Sequence, residues 1–478
     1  MITSFQFAVC ALTALSMSSC MVGPRYTPPA PPLPLTDAYK GAEKAGFQPA
    51  QPSDGAPKGP WWNAYHDARL SALEEQVNPA NQNVQVAEAQ LKEARAAIRI
   101  ARSGLWPTLN SGVSMNEAHT SGAASAHQNY DFGLGAAWEL DLWGRLRRSV
   151  AAANSLAQAS AADLENVRLL YQAELAAAYY QLRGIDAKAD LLRKTEALYS
   201  DSVNLTRNRY EAGVASPLDL KQAESQLYTI QSALLELGVQ RAQLEHAIAV
   251  LTGTPPANLS IPPTPLDADP PDIPTGLPSQ LLERRPDIAA AERRVAAANE
   301  SIGIAMAAFY PTLSLSGSAG FQSGSFEKWF SMPTRFWSVG PALAETLLDR
   351  GRRRAVVDQQ RAAYDAVVAS YRQSVLSAFQ QVEDNLAAMR ILTREAAQIE
   401  LTADAAAGAL NISTLQYKAG MTSYLTVLTA QVSLLNAQIA AVEVRTRRMV
   451  ASIDLMQAIG GGWSTSNSGS GSPTSQTE

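Results

Sequence analysis

The sequence predicts a mainly helical chain, internally duplicated, in which long helical hairpins alternate with pairs of β-strands. Three observations lead there. The first is repetition: Leu105-Trp106-Pro107-Thr108-Leu109 returns as Phe309-Tyr310-Pro311-Thr312-Leu313, 204 positions on. Gly144-Arg145-Leu146-Arg147 returns as Gly351-Arg352-Arg353-Arg354, and Arg209-Tyr210-Glu211-Ala212-Gly213-Val214 as Gln416-Tyr417-Lys418-Ala419-Gly420-Met421, both 207 on. The second is an apolar heptad sustained without proline in each copy. The third is a switch to strict alternation between the helical runs. A register held over most of the chain makes the 478 residues two copies of one unit of about 200.

The helical reading rests on periodicity. Tyr171, Leu175, Ala178, Leu182, Ile185, Ala189, Leu192, Glu196, Tyr199, Val203, Thr206 and Tyr210 follow steps of four and three. That is a heptad seam, apolar except at Glu196 and Thr206. Its copy runs from Ala378 to Tyr417 in the same phase. A second run follows each glycine: Leu220 to Leu251 after Gly213, and Val427 to Ala458 after Gly420. Each repeat is therefore expected to hold a long hairpin with the glycine segment at its tip. Arg241 and Arg448 occupy the same place in the two second runs, where an arginine can send its head to water from an apolar seam.

Strands are expected at 107–143 and 311–348. Tyr130, Phe132, Leu134, Ala136, Trp138, Leu140 and Leu142 alternate with small or acidic residues, and Leu109, Ser111, Val113 and Met115 precede them across a polar stretch at 117–129. In the second repeat Leu313, Leu315, Gly317 and Ala319 alternate with serines and glycine. Trp337, Val339 and Leu343 follow, with Pro341 pointing to an edge or a bulge. Strands of ten residues or so are long enough to cross a bilayer at a tilt. A small water-soluble hairpin packed on the helices is the alternative. Four strands cannot close a barrel, so a spanning sheet needs several chains to complete it.

Composition narrows the function classes. Charged residues are 17% of the chain, against about 25% in an ordinary soluble domain. Net charge is −5 with no basic tract, which argues against nucleic acid as a partner. No uninterrupted apolar run beyond the N-terminus reaches the roughly 18 residues of a spanning helix. The four histidines, His66, His119, His127 and His246, lack ligand spacing, and no phosphate loop, nucleophile elbow or cysteine pair is present. The expectation is a non-enzyme without metal or cofactor.

The chain is expected to divide at its prolines. Residues 1–19 read as a signal peptide ending in small residues before Cys20, although no Lys or Arg precedes Arg25. Cys20 is then a lipidated first residue, or an incidental cysteine after an ordinary signal. Residues 20–60 form a proline-rich tether, 61–253 repeat one, 254–278 a second proline-rich linker, 279–460 repeat two, and 461–478 a Gly/Ser-rich disordered tail.

Cys20-Met21-Val22-Gly23-Pro24-Arg25-Tyr26 resembles the mature start of lipoprotein outer membrane factors, and Leu281-Leu282-Glu283-Arg284-Arg285-Pro286-Asp287-Ile288 with Ala291-Glu292-Arg293-Arg294 is similar to the signature of their NodT-type branch. The likeness covers about residues 20–460. The family is that of TolC-like channels of tripartite efflux pumps. It implies a homotrimer with a trimeric α-barrel through the periplasm and four transmembrane strands per chain in a shared 12-stranded barrel. It implies a lipid-anchored protein of the outer membrane that extends into the periplasm. Its partners would be its own copies, a periplasmic adaptor, an inner membrane transporter of the resistance-nodulation-division class, and membrane lipid. The function implied is a passive exit duct for drugs or other toxic small molecules. A type I protein secretion duct and a coiled coil without a pore are the alternatives.

The resemblance also implies roles for residues. The tips that meet the adaptor would be Gly213, Val214, Ala215, Ser216, Pro217, Leu218 and Gly420, Met421, Thr422, Ser423, Tyr424, Leu425. The periplasmic gate would involve Asp219 and Tyr417, linked to each other, with Thr426 and Thr429 where relatives often carry Asp. The Leu281 to Ile288 motif reads as a helix start, with Pro286 at its first position and Asp287 against its dipole. Arg145, Arg147, Arg148, Arg352, Arg353 and Arg354 stand at helix starts, unfavoured by the dipole. Phospholipid headgroups could compensate them, or they form a solvated face.

Overall fold

The computed structural model of the chain describes residues 21–30, 59–118, 127–273 and 285–461. The signal, Cys20, most of the 20–60 segment, residues 281–284 and the expected tail beyond 461 lie outside the described residues. The helices are α1 (Ala68–Ala80), α2 (Gln82–Ser103), α3 (Arg145–Glu211), α4 (Pro217–Leu251), α5 (Pro286–Ala307), α6 (Arg352–Lys418) and α7 (Tyr424–Ala458). The strands are β1 (Thr108–Ala118), β2 (His127–Leu140), β3 (Thr312–Ser323) and β4 (Arg335–Ala344).

The element bounds carry the duplication. α2 and α5 each have 22 residues and start 204 apart, while α3 and α6, 67 residues each, and α4 and α7, 35 residues each, start 207 apart. The offset changes at one place. β2 and β4 still end 204 apart, so the extra residues lie between strand and helix, where 141–144 join β2 to α3 and 345–351 join β4 to α6.

The chain divides into two compact units. Unit 1 (21–30, 89–118, 127–162 and 290–374 in its described parts) is built on one antiparallel sheet in the order β1-β2-β3-β4. The ladder runs unbroken through Val113↔Phe132 and Phe132↔Phe321, and through Gly317↔Val339 and Leu315↔Pro341. Paired residues share a face. One face thus carries Leu109, Val113, Met115, Phe132, Leu134, Trp138, Leu315, Phe321, Trp337, Val339 and Leu343. The other carries Asn110, Ser114, Asp131, Glu139, Ser314, Ser316, Ser318 and Gln322.

Two expectations for the strands need adjustment, and the edge expected at Pro341 holds. β1 reaches Ala118 and β2 begins at His127, so pairing continues into the stretch read as loop. β2 stops at Leu140, not Leu142, because Asp141 turns to accept the free backbone N–H groups of Leu146 and Arg147 at 3.0 and 2.9 Å. Pro341 lies on the edge strand β4, in continuous register with β3 and with no bulge.

The arginines at the strand-to-helix junctions are compensated inside the chain, which corrects the headgroup reading for four of the six. Arg145 makes a bidentate pair with Glu139 at 3.1 and 2.7 Å, and Arg147 pairs with Asp141 at 3.1 Å. Arg148 is buried; it pairs with Glu300 at 2.7 Å and donates to the Val22 and Pro24 carbonyls. Arg353 pairs with Asp349 at 2.7 Å and lies 5.4 Å from the Phe309 ring centre. The carboxylates of Asp141 and Asp349 also accept backbone N–H groups of the first helical turns, so they bring the negative charge that the dipole favours. Arg352 and Arg354 are exposed.

Residues 21–30 do not hang free as a tether. The Val22 N–H donates to the Trp143 carbonyl at 3.1 Å, the Tyr26 hydroxyl donates to Glu292, and Asn299 donates to the Pro24 carbonyl at 3.3 Å. Gly23 adopts φ +110°, and a Cβ there would run into the α-carbon of Gly303, a path no side chain could share. Polar groups on α3 and α5 thus hold the segment through its own backbone.

Unit 2 (59–88, 163–273 and 285–289, and 375–461 in its described parts) holds the hairpins α3–α4 and α6–α7 over these spans. The heptad positions form the core. Leu192, Tyr199, Ile230 and Leu237 are buried together, as are Leu392, Val444 and Ala451. Gly184 lets α3 approach α7, since a Cβ there would meet the Thr446 side chain. α1 is capped by Asp67, which accepts from the Arg69 and Leu70 N–H groups and pairs with Arg183 at 2.5 Å.

Within unit 2 the described part of the second proline-rich segment, 254–273, is a strap. Arg241 donates to Asp186 at 2.8 Å, to Glu245 at 3.1 Å and to the Ile261 carbonyl at 2.5 Å. Asp186 in turn accepts the Thr264 N–H at 2.9 Å, and Ile261 and Leu266 are buried. Arg448 pairs with Asp269 at 3.2 Å. The paired arginines therefore clamp the segment that joins the repeats and do not send their heads to water. The carboxylate of Asp186, nearly enclosed, is what draws Arg241 inward. Arg285 pairs with Asp287 at 2.7 Å and donates to Gln381 and to the Ala458 carbonyl, so the described part of the signature acts at a helix start, where Pro286 is the first residue of α5.

α7 is the one helix among the described residues long and apolar enough to cross a membrane by length and composition, with a window of mean hydropathy 1.5 that is 22% buried. Counting uninterrupted apolar runs missed it because Ser433, Asn436 and Gln438 break the run.

Candidate functional site at the hairpin tips

The first tip forms where α3 runs out at Glu211. Gly213 takes φ +72°, the Val214 N–H reaches back to the Arg209 carbonyl at 2.8 Å, and the Gly213 N–H to Tyr210 at 2.9 Å. This closes the last turn through a left-handed glycine. Ser216 then starts α4 with a capping box: its hydroxyl accepts the Asp219 N–H at 3.1 Å, and the Asp219 carboxylate accepts the Ser216 N–H at 3.2 Å. Pro217 sits at the first helical position.

The second tip repeats the exit and alters the entry. Gly420 takes φ +75° and the Met421 N–H bonds the Gln416 carbonyl at 2.9 Å. Ser423 has cap geometry without a side-chain cap bond. The residue facing it at the third position is Thr426, whose hydroxyl accepts from Thr422 at 2.9 Å. A threonine cannot supply the carboxylate that completes the box, so α7 starts less firmly than α4.

Both tips stand over one small core of Val203, Ala223, Tyr417, Tyr424 and Val427. The rings of Tyr417 and Tyr424 meet edge to face at 5.5 Å. The Arg209 guanidinium lies 4.8 Å from the Tyr417 ring centre. Burial first, then Tyr199, Tyr417 and Asp219, push the Tyr424 hydroxyl up to about 12, so it stays protonated at the centre of the site. Val214, Leu218, Met421 and Leu425 project into solvent around it, from 55% to 77% exposed.

Most of the expected tip residues are surface residues: Gly213, Ser216, Pro217, Gly420 and Ser423 are exposed, and Ala215 and Thr422 partly so. Tyr424 is the exception. It is 3% exposed and belongs to the core under the turn, because its ring fills the space between α3, α4 and Tyr417. The Asp219 to Tyr417 link is not made within the chain. The Asp219 carboxylate is committed to its own helix cap, and the Tyr417 hydroxyl is buried without a hydrogen-bond partner among the described residues. Thr426 and Thr429 are exposed, and Thr429 turns its hydroxyl to the Leu425 carbonyl at 2.8 Å. Sequence reading missed Arg209. Its place in the repeated tip segment, opposite Gln416, was the available signal. No group of three or more His, Cys, Asp or Glu able to hold a metal occurs among the described residues.

Comparison with known proteins agrees with this architecture. The family model for outer membrane efflux proteins matches the chain twice, at residues 73–254 and 277–461, one match per repeat. The chain is 33% identical to outer membrane protein OprJ of Pseudomonas aeruginosa over 468 residues, 96% of either chain. Among solved structures it is similar to the outer-membrane channel OprN, with TM-score 0.82, 32% identity and coverage of 93% of this chain and 100% of that one. It is also similar to the open state of the MtrE outer membrane channel of Neisseria gonorrhoeae, with TM-score 0.78, 28% identity and coverage of 93% and 98%. Two helical hairpins, two strand pairs and a match to the same model in each repeat establish that this chain belongs to the outer membrane efflux protein family.

Proposed function

We propose that three copies of this chain assemble into one exit duct of a tripartite efflux system, with a shared barrel in the outer membrane and a helical tunnel in the periplasm. The observation that carries this is a four-stranded sheet with open edges at β1 and β4 and one mainly apolar face. In lipid, each unpaired backbone group on such an edge costs several kcal/mol, so the edges must be paired by neighbouring chains. Purified full-length protein should run as a trimer and give stepwise ion conductance in planar bilayers. A trimer without conductance would leave only a structural coiled coil.

The tips are the proposed meeting point with a periplasmic adaptor and, through it, an inner membrane transporter of the resistance-nodulation-division class. Exposed Val214, Leu218, Met421 and Leu425 give such a partner an apolar surface beside rigid glycine turns. The gate is proposed to lie at the same level, with Asp219, Tyr417, Thr426 and Thr429. The Tyr417 hydroxyl is buried without a partner among the described residues, so a group on another chain would reach it only if the tip shifts. Tyr417→Phe should raise closed-state conductance while Asp219→Asn, which disturbs the helix cap, should also lower thermal stability; equal conductance of parent and both variants sinks the gate.

Lipidation of Cys20 belongs to the same reading. The residues after it are fixed at the base of the sheet, with Val22 bonded to Trp143 at the β2–α3 junction. An acyl chain on Cys20 would enter the membrane at that level. Mass analysis of the mature N-terminal peptide tests it, and an unmodified thiol there would end this part of the proposal.

A further inference from the structure

The connection between β3 and β4 is an ordered patch, not a slack loop. Two short 3-10 turns, Phe326–Lys328 and Met332–Thr334, fold it. Its backbone bonds itself: the Trp329, Ser331 and Thr334 N–H groups reach the Phe326, Lys328 and Ser331 carbonyls at 3.1 to 3.2 Å, and the Thr334 hydroxyl reaches Trp329 at 2.7 Å. Trp329 is buried and stacks on Phe330 at 4.9 Å.

What the patch rests on decides its meaning. Phe330 packs on Phe132 at 5.9 Å and Phe321 at 5.6 Å, and Trp329 and Phe326 both pack on Tyr130 at 5.6 Å. Tyr130, Phe132 and Phe321 lie on the apolar face of the sheet. The connection therefore folds back over the apolar face and does not cover the polar one. Having done so, it still exposes Phe326, Phe330 and Met332, each by more than 60%. These are continuous with exposed Trp337, Val339 and Leu343 on β4. Two exposed cations flank the patch: Lys328, and Arg335, which pairs in register with Phe321 and so shares the apolar face. Exposed Glu327 is the one opposing charge within the connection.

We propose that this connection is a lipid anchor: Phe326, Phe330 and Met332 enter the outer leaflet of the membrane, and Lys328 and Arg335 meet the anionic phosphates of its headgroups. The inference rests on the reading that the sheet spans the outer membrane. Aromatic rings with an apolar body and flanking cations suit the membrane boundary. A water-facing loop gains nothing from three large exposed apolar side chains, whereas a boundary loop does. The self-bonded backbone leaves few polar groups that contact with lipid would strand.

The test uses nitroxide labels on the full-length channel in bilayers that contain an anionic phosphate-bearing lipid. Labels go on Phe326→Cys, Phe330→Cys and Met332→Cys, with Val339→Cys as the apolar-face reference and Ser316→Cys as the polar-face reference; the parent protein sets the background. The expected result is that all three connection labels collide with oxygen more than with a water-soluble nickel chelate, as Val339→Cys does, while Ser316→Cys shows the reverse. Nickel accessibility at the connection with oxygen accessibility kept at Val339→Cys overturns the anchor and leaves the spanning sheet intact. Nickel accessibility at both overturns the spanning sheet and the anchor with it. Separately, Lys328→Gln with Arg335→Gln should lower retention of the anionic lipid over a zwitterionic one by about fivefold per cation removed. Unchanged retention overturns the phosphate contact.

Discussion

Glu74 carries the most unusual chemistry among single residues. It sits on α1 with both carboxylate oxygens buried and without a hydrogen-bond partner among the described residues. Burial alone pushes its carboxyl up from 4.5 to about 9. Between those values the folded chain holds a proton that the unfolded chain releases. The stability this contributes is full below the unfolded value and is lost as pH rises through the folded value. Glu74→Gln keeps the shape and cannot ionise. Thermal unfolding of this variant should depend less on pH than the parent between about pH 5 and about pH 9, with the larger gain at the alkaline end. Equal slopes would assign the parent's pH dependence to other groups. Nothing in the sequence singled out Glu74, because one carboxylate in a polar-looking helix has the same letter whether buried or wet. The glycines of the tips were legible, since a repeated glycine after a long heptad has few uses other than a left-handed turn. The burial of Tyr424 was not, because one residue past the turn the helix rotates it inward.

Paired helices depend on close approach at a few points. Gly184 on α3 faces Thr446 on α7 with no room for a Cβ. Gly184→Ala should cost about 1–3 kcal/mol of thermal stability by forcing the helices apart. Thr446→Ala in the same chain should restore part of it, as the hydroxyl and the methyl group that meet the new Cβ are both removed. The strap predicts an asymmetry between the repeats. Arg241→Ala leaves Asp186, whose side chain is 3% exposed, without its cation and should cost about 3 kcal/mol or more. Arg448→Ala removes a pair whose carboxylate is 73% exposed and should cost less than about 1 kcal/mol. Comparable losses in denaturation of the two variants would show that the strap is held by something other than this clamp. The sequence marked both arginines as equivalent; only the partners brought from Asp186 and Asp269 make them unequal.

For the molecule as a whole, the sheet decides the environment. Val339 is exposed at 67% on the apolar face. Val339→Arg should lower assembly into the outer membrane, at a cost of about 2–4 kcal/mol if the position lies near the midplane. Ser316→Arg on the polar face should leave assembly unchanged and alter conductance instead. Similar assembly of the two variants would argue that lipid does not touch this face.

The sequence by itself determined the duplication, the heptads, the alternation of the strands and the family, because each is a periodic property that survives without contacts. The two offsets of 204 and 207 were equally legible, but where the register changed was not. The tertiary structure decided that the extra residues fall at the β4–α6 junction, that the junction arginines answer to carboxylates of the same chain, and that residues 21–30 and the second proline-rich segment are held down. It also decided which way the β3–β4 connection folds. These are choices among partners distant in sequence, and a charge or a ring carries no mark of its partner until the chain brings the two together.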